Sequence, residues 1–147
     1  FGDKANEDEK VPNYLKKQSF SNPIKNLFYN IILKENLNSY ESVQKFLKKF
    51  SKNITLIKGN SNKILQHFYL ENIDFAFLDG GHSFETVLND LNLLFDKISS
   101  NKDAIILCDD YEDADYITGV KKAVDQFVKE KKLKFEVIEK RFAKITI

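Results

Sequence analysis

The chain has 147 residues, 42% hydrophobic and 31% charged, with Lys plus Arg at 23 against Asp plus Glu at 22. That is the size and make-up of one globular domain, and a net charge of +1 gives no electrostatic argument for nucleic acid or a membrane surface as partner. No apolar run approaches the ~20 residues of a membrane span, and no signal peptide is visible.

The single Cys108 excludes an internal disulfide and a cysteine-built zinc site, and fits a reducing, cytoplasmic compartment. The chain opens on Phe1 and contains no methionine, so a fragment or a processed segment is expected. Arginine occurs once, at Arg141, among many lysines and asparagines, a bias read as AT-rich coding rather than function.

Residues 1–20 are polar and charged, with little to bury. A helix is predicted from Asn22-Pro23, a cap followed by proline in the first turn, with Ile24, Leu27, Phe28, Ile31 and Ile32 at helical spacing. The rival reading makes "LFYNIILKE" a strand ending on Glu35. Asn38 with Glu41 resembles a capping box, opening a helix to about Phe50 with Val43, Phe46, Leu47 and Phe50 inward.

From there the pattern alternates. "ITLIKG" (54–59) reads as a strand, and Ser61 is a cap for a helix burying Ile64, Leu65 and Phe68. "IDFAFLD" (73–79) is a strand, and 84–98 a helix with Phe84, Val87, Leu88, Leu91, Leu94, Phe95 and Ile98 on one face. "AIILC" (104–108) is a strand, and 118–131 a helix packing Val120, Ala123, Val124, Phe127 and Val128. "KFEVIEK" and "FAKITI" alternate with period two, as a terminal antiparallel hairpin does. The expected fold is α/β: a Rossmann-like, mainly parallel sheet with flanking helices and that hairpin. The runs at 73–79 and 104–108 are apolar on both faces, as central parallel strands require. One domain overall is expected, with residues 1–51 a polar segment and helices and 52–147 the α/β part.

Two of these strands stop on carboxylates: Asp79, followed by Gly80, Gly81 and His82, and the doublet Asp109-Asp110. Right-handed crossovers bring the C-terminal ends of parallel strands to one edge, where open α/β sheets bind ligands. Neighbouring strands are ~4.8 Å apart, so the acids are expected to share a gap. At ~5 Å and an effective dielectric near 20, each pair repels by roughly 3 kcal/mol. Protonation or hydrogen bonds would offset that; a divalent cation is the stronger candidate. All-oxygen ligands suit Mg²⁺, Mn²⁺ or Ca²⁺. The plain alternative is that strand-end Asp residues serve as caps and turn formers.

His82 is a candidate general base or simply a turn residue bonded to the backbone. Gly59, Asn60 and Ser61 open a helix after a strand-like run. They either admit a ligand to free N–H groups or make an ordinary turn and cap.

The succession "ITLIKGNS", "IDFAFLDGGHSFETVLNDL", "AIILCDDY" and "GVKKAVDQF" resembles the class I S-adenosylmethionine-dependent methyltransferases. It is most similar to the branch of macrocin O-methyltransferase and related sugar or small-molecule O-methyltransferases, which carries an Asp-Gly-x-His-Ser turn, a later Asp-Asp and a Gly-Val-Lys helix start. The resemblance covers about residues 52–147. It implies S-adenosylmethionine as cofactor and a small-molecule hydroxyl acceptor as partner. It also implies Mg²⁺ held by Asp79, Asp109 and Asp110, deprotonation assisted by His82, and cofactor contacts from Gly59, Asn60, Ser61, Asp79 and Gly80.

One departure stands out. The family's glycine-rich loop is not found: the glycines are Gly2, Gly59, Gly80, Gly81 and Gly119. The N-terminal part of the fold is therefore expected to be missing, replaced by helices or supplied by another chain, with weak cofactor binding by this chain alone. The alternative function is a truncated or non-catalytic binding or scaffold module of the same fold; a homo-oligomer is compatible with either. A response-regulator receiver also clusters three acids around Mg²⁺, but it needs the Asp doublet on an earlier strand than the single Asp, the reverse of the order here.

Overall fold

The structure, a computed structural model, describes residues 21–33, 37, 39–69, 73–98, 103–112 and 118–147. The chain divides into two compact units, Phe1–Lys58 and Gly59–Ile147.

In the first unit, α1 (Pro23–Leu27) begins at the expected cap: Asn22 Oδ1 accepts from the amides of Ile24 at 2.9 Å and Lys25 at 3.4 Å. The backbone then widens into a π-helical turn over Phe28–Ile32. That turn breaks the 3.6-residue period from which an inward face was read. Ile24, Ile31 and Ile32 are 74%, 62% and 63% exposed, so the expected face is not buried. The rival strand is not formed over Phe28–Ile32; Glu35 lies outside the described residues.

Helix α2 (Tyr40–Leu47) runs into a 3₁₀ turn at Lys48–Phe50. Its cap is Ser39, whose Oγ accepts from Ser42 N at 3.1 Å. The expected cap, Asn38, lies outside the described residues. Val43 and Leu47, four apart, are half-buried, whereas Phe46 and Phe50 are exposed. Two helical turns present only one covered stripe, and the second pair falls beside it. Residues 54–58 form no strand. Alternation supplies a face but not a pairing partner, and Leu56 C=O instead accepts from the Tyr40 hydroxyl at 3.4 Å.

The second unit carries the sheet. Strands β1 (Phe75–Leu78), β2 (Ile105–Cys108), β3 (Lys134–Ile138) and β4 (Phe142–Thr146) lie in the order β1-β2-β4-β3. The first two are parallel, Leu78 opposite Cys108. β4 is antiparallel to both β2 and β3, with Cys108 opposite Ala143. Helix α3 (Ser61–His67) precedes β1, α4 (Phe84–Ile98) is the crossover between the parallel strands, and α5 (Thr118–Lys131) leads to the hairpin. The α/β class, the flanking helices and the terminal hairpin are as expected. Among the described residues one pairing is parallel and two are antiparallel.

One face of this sheet makes the core. Ile106, Cys108, Ala143 and Ile145 are buried against Leu91 and Ile98 of α4 and Ala123, Val124 and Phe127 of α5. Fully burying side chains such as Leu91 or Phe127 contributes about 1.5–3 kcal/mol each, and Phe95 meets the Phe127 ring edge-on at 5.8 Å. β1 is not buried on both faces as expected: Phe75 and Phe77 are 56% and 50% exposed. It has one strand neighbour among the described residues, so half its apolar run lacks cover.

The β3–β4 hairpin turns on Glu139 and Lys140, both left-handed (φ 53° and 54°), closed by Arg141 N donating to Ile138 O at 3.0 Å. Two positive φ values in a two-residue loop match the right-handed twist of the strands. The usual Asn-Gly signal is absent there.

Candidate functional site

Parallel pairing of β1 with β2 carries both chain exits to the same edge. Asp109 N donates to Leu78 O at 3.0 Å, continuing the ladder one step past β2 and placing Asp109 beside Asp79. Each of Asp79, Asp109 and Asp110 offers a carboxylate oxygen, and these oxygens lie within 4.8 Å of one another. Asp79 is exposed, Asp110 half-buried and Asp109 only 8% exposed. Gly80, Gly81 and His82 line the same cleft. Its free volume is about 10 Å³, room for one water or ion.

Asp110 takes a left-handed backbone (φ 57°) and lines the cleft. His82 Nε2 lies 3.1 Å from Asp110 Oδ2, so a carboxylate orients the imidazole. The His82 loop is pressed by α5: a Cβ on Gly119 would meet His82 O at 2.2 Å.

The sequence reading missed Arg141. Continuing the β2–β4 register two places beyond Cys108–Ala143 sets it opposite Asp110. Its Nε donates to Asp109 Oδ1 at 2.5 Å and its Nη2 to Asp109 Oδ2 at 2.7 Å, with Nη2 also 3.5 Å from Asp110 Oδ1. Asp110 N donates to Asp109 Oδ1 at 2.7 Å. The Arg141 hydrogen bonds hold the Asp109 carboxyl below the usual carboxylate range; burial opposes them, and the Asp110 amide and the Arg141 and His82 charges assist. Part of the expected repulsion is thus offset by a guanidinium. The available signal was that the chain's one arginine closes a hairpin whose second strand pairs with the Asp doublet's strand.

The Gly59–Ser61 turn divides its roles. Asn60, not Ser61, caps α3, its Oδ1 accepting from Asn62 N at 2.9 Å. Ser61 Oγ donates instead to Asp90 Oδ2 at 3.1 Å, and Asn89 Nδ2 donates to Asn62 Oδ1 at 2.6 Å. The first turn of α3 is thereby lashed to α4. Asp90, 3% exposed, also lies under the other turn, its Oδ2 4.0 Å from where a Gly80 Cβ would sit. Its Oδ1 has no hydrogen-bond partner among the described residues, and burial pushes its carboxyl above the usual range despite the Ser61 hydrogen bond. Gly59, Asn60 and Ser61 are not among the residues lining the carboxylate cleft.

A family described as a methyltransferase domain matches residues 13–111. The likeness therefore begins well ahead of residue 52, where the resemblance was expected to start. Over 72 residues the chain is 39% identical to uncharacterized protein R132 of Acanthamoeba polyphaga mimivirus, a stretch that is 45% of this chain and 32% of that protein. The chain thus spans about a third of this relative's length. No solved structure matches the chain significantly.

Proposed function

Because the chain belongs to the methyltransferase-domain family, we propose that it uses S-adenosylmethionine to methylate a small-molecule or sugar hydroxyl, with a divalent cation at the strand edge. The observation that carries the reading is the convergence of three carboxylates within 4.8 Å beside an imidazole bonded at 3.1 Å to one of them.

The donor set is all oxygen, as a hard cation requires. Two oxygens on one ion lie at most about 4.2 Å apart for Mg²⁺ and about 4.8 Å for Ca²⁺, twice the metal–oxygen distance. A spacing within 4.8 Å is compatible with either ion once the carboxylates draw in around it. A bound cation would lower the pKa of an acceptor hydroxyl. In the proposed reaction His82 accepts the hydroxyl proton on Nδ1, the ring nitrogen that does not face Asp110, and Asp110, 3.1 Å from Nε2, stabilises the resulting imidazolium. Bound S-adenosylmethionine would supply an electrophilic methyl group, which the hydroxyl oxygen would take as the carbon–sulfur bond broke to leave a neutral thioether. Gly80 lets the β1 exit lie close to a cofactor. Asn60 and Ser61 offer the adenosine side a turn that α4 holds still.

Transfer of labelled methyl from S-adenosylmethionine to a panel of catechols and sugars tests the reading. His82→Ala is expected to lower the rate by about 10²–10⁴. An undiminished rate would remove His82 from the chemistry. The alternative, a binding module of the same fold, is favoured by the Arg141 pair, which helps the cluster to hold together with no cation. Absence of transfer to every acceptor, with intact folding, would support it.

A further inference from the structure

We propose that Arg141 is a positioning residue that governs cation entry to the Asp79–Asp109–Asp110 cluster: its guanidinium engages both oxygens of Asp109 and opposes a divalent ion, so that it sets how tightly one binds. This rests on the reading of the cluster as a cation site.

A carboxylate offers about four lone-pair sites. On Asp109 two take Arg141 and a third takes Asp110 N. That leaves one, on Oδ2, for a cation. Arg141 is itself anchored at several points. Its amide closes the Glu139-Lys140 turn, its carbonyl accepts from Tyr111 N at 2.7 Å, and its guanidinium lies 5.4 Å from the centre of the Phe142 ring. A cation entering the cluster therefore meets a fixed positive charge.

Removing Arg141 has two opposed effects. It frees two lone pairs and deletes a like charge, which favours cation binding. It also releases Asp109 to reorient, which disfavours binding. The first effect dominates, because Asp109 stays oriented without the arginine: it is buried, and Asp110 N still holds its Oδ1. Lysine at this position would keep the charge but not the planar fork.

The test is calorimetric titration of Mn²⁺ into the 147-residue chain at low salt, as wild type, Arg141→Gln, Arg141→Lys and Asp109→Asn. Arg141→Gln is expected to bind at least about tenfold more tightly than wild type, roughly 1.4 kcal/mol. Arg141→Lys should fall between them, and the gap should narrow as salt rises. A purely structural role predicts the opposite, weaker binding on loss of the arginine. Equal or weaker binding by Arg141→Gln overturns the proposal. If circular dichroism shows that Arg141→Gln does not fold, Arg141→Lys decides: tighter than wild type supports the proposal, equal or weaker overturns it. Binding by Arg141→Gln but not by wild type supports the role of Arg141 and removes the cation from the native reaction. Binding by neither protein overturns both readings.

Discussion

Gly119, in the first turn of α5, lies so close to the loop after β1 that a Cβ on it would fall 2.2 Å from His82 O and 2.8 Å from Phe84 N. Both neighbours are backbone atoms and cannot swing aside as a flexible side chain would. Helix propensity alone favours alanine here by about 1 kcal/mol. The contact reverses that sign: Gly119→Ala is expected to destabilise the chain by about 1–3 kcal/mol, read as a lower urea midpoint. A midpoint at or above the wild-type value would show that α5 and the His82 loop part without cost.

Asp109 makes stability depend on acid. Its folded pKa lies below the ordinary value, so the folded chain binds that proton more weakly than the unfolded chain does. The stabilisation is complete above the unfolded pKa of about 3.9 and is lost as pH falls through the folded value. Arg141→Gln removes the main cause. Because the arginine is half-exposed, the expected neutral-pH loss is only about 1 kcal/mol. Denaturation midpoints of variant and wild type should differ at pH 7 and converge in strong acid; a constant gap would assign the effect elsewhere.

Asp90 acts with the opposite sign. Its folded pKa is raised by burial, so its contribution is most favourable below the unfolded pKa and is lost as pH rises through the folded one. At neutral pH a buried carboxylate with an unbonded oxygen is a liability. Asp90→Asn keeps the shape and allows a hydrogen bond with Ser61. It is expected to stabilise the chain at pH 7 by about 1 kcal/mol and to lose the advantage in acid. Destabilisation at pH 7 would mean that the charge has a partner in solution.

Cys108 is expected to be chemically silent in the folded chain. It is 1% exposed, and burial pushes its thiol up to about 12, leaving almost no thiolate at working pH. Alkylation should proceed only through opening, about 10³-fold or more slower than in denaturant. Comparable rates in the two conditions would show that β2 opens locally.

What was legible in the sequence was mostly local. Helices 84–98 and 118–131 were read to the residue, because each has a long apolar period and real core to face. The shared strand edge followed from the stops at Asp79 and Asp109. The N-terminal helices misled because periodicity names a face without showing that anything covers it; Phe46 and Ile24 have the spacing and not the burial. Arg141 was illegible as a site residue because its partnership is set by register across β4, some thirty positions from Asp109. Asp90 hid on an apolar stripe, a place where a carboxylate is not looked for. The strand expected at 54–59 needed a neighbour, which no local pattern records.

Asp110 holds a backbone angle, φ 57°, that glycine adopts freely, that Asp and Asn reach more readily than other side chains, and that costs most residues about 1–2 kcal/mol. Selection for thermostability alone would therefore find Asp110→Gly attractive: it relaxes the chain and deletes one of three crowded negative charges. The same change strips His82 of its carboxylate partner. Stability and the proposed chemistry thus pull this position in opposite directions, and a stabilised library of this chain sorted only by melting temperature would enrich variants that have discarded the proposed site.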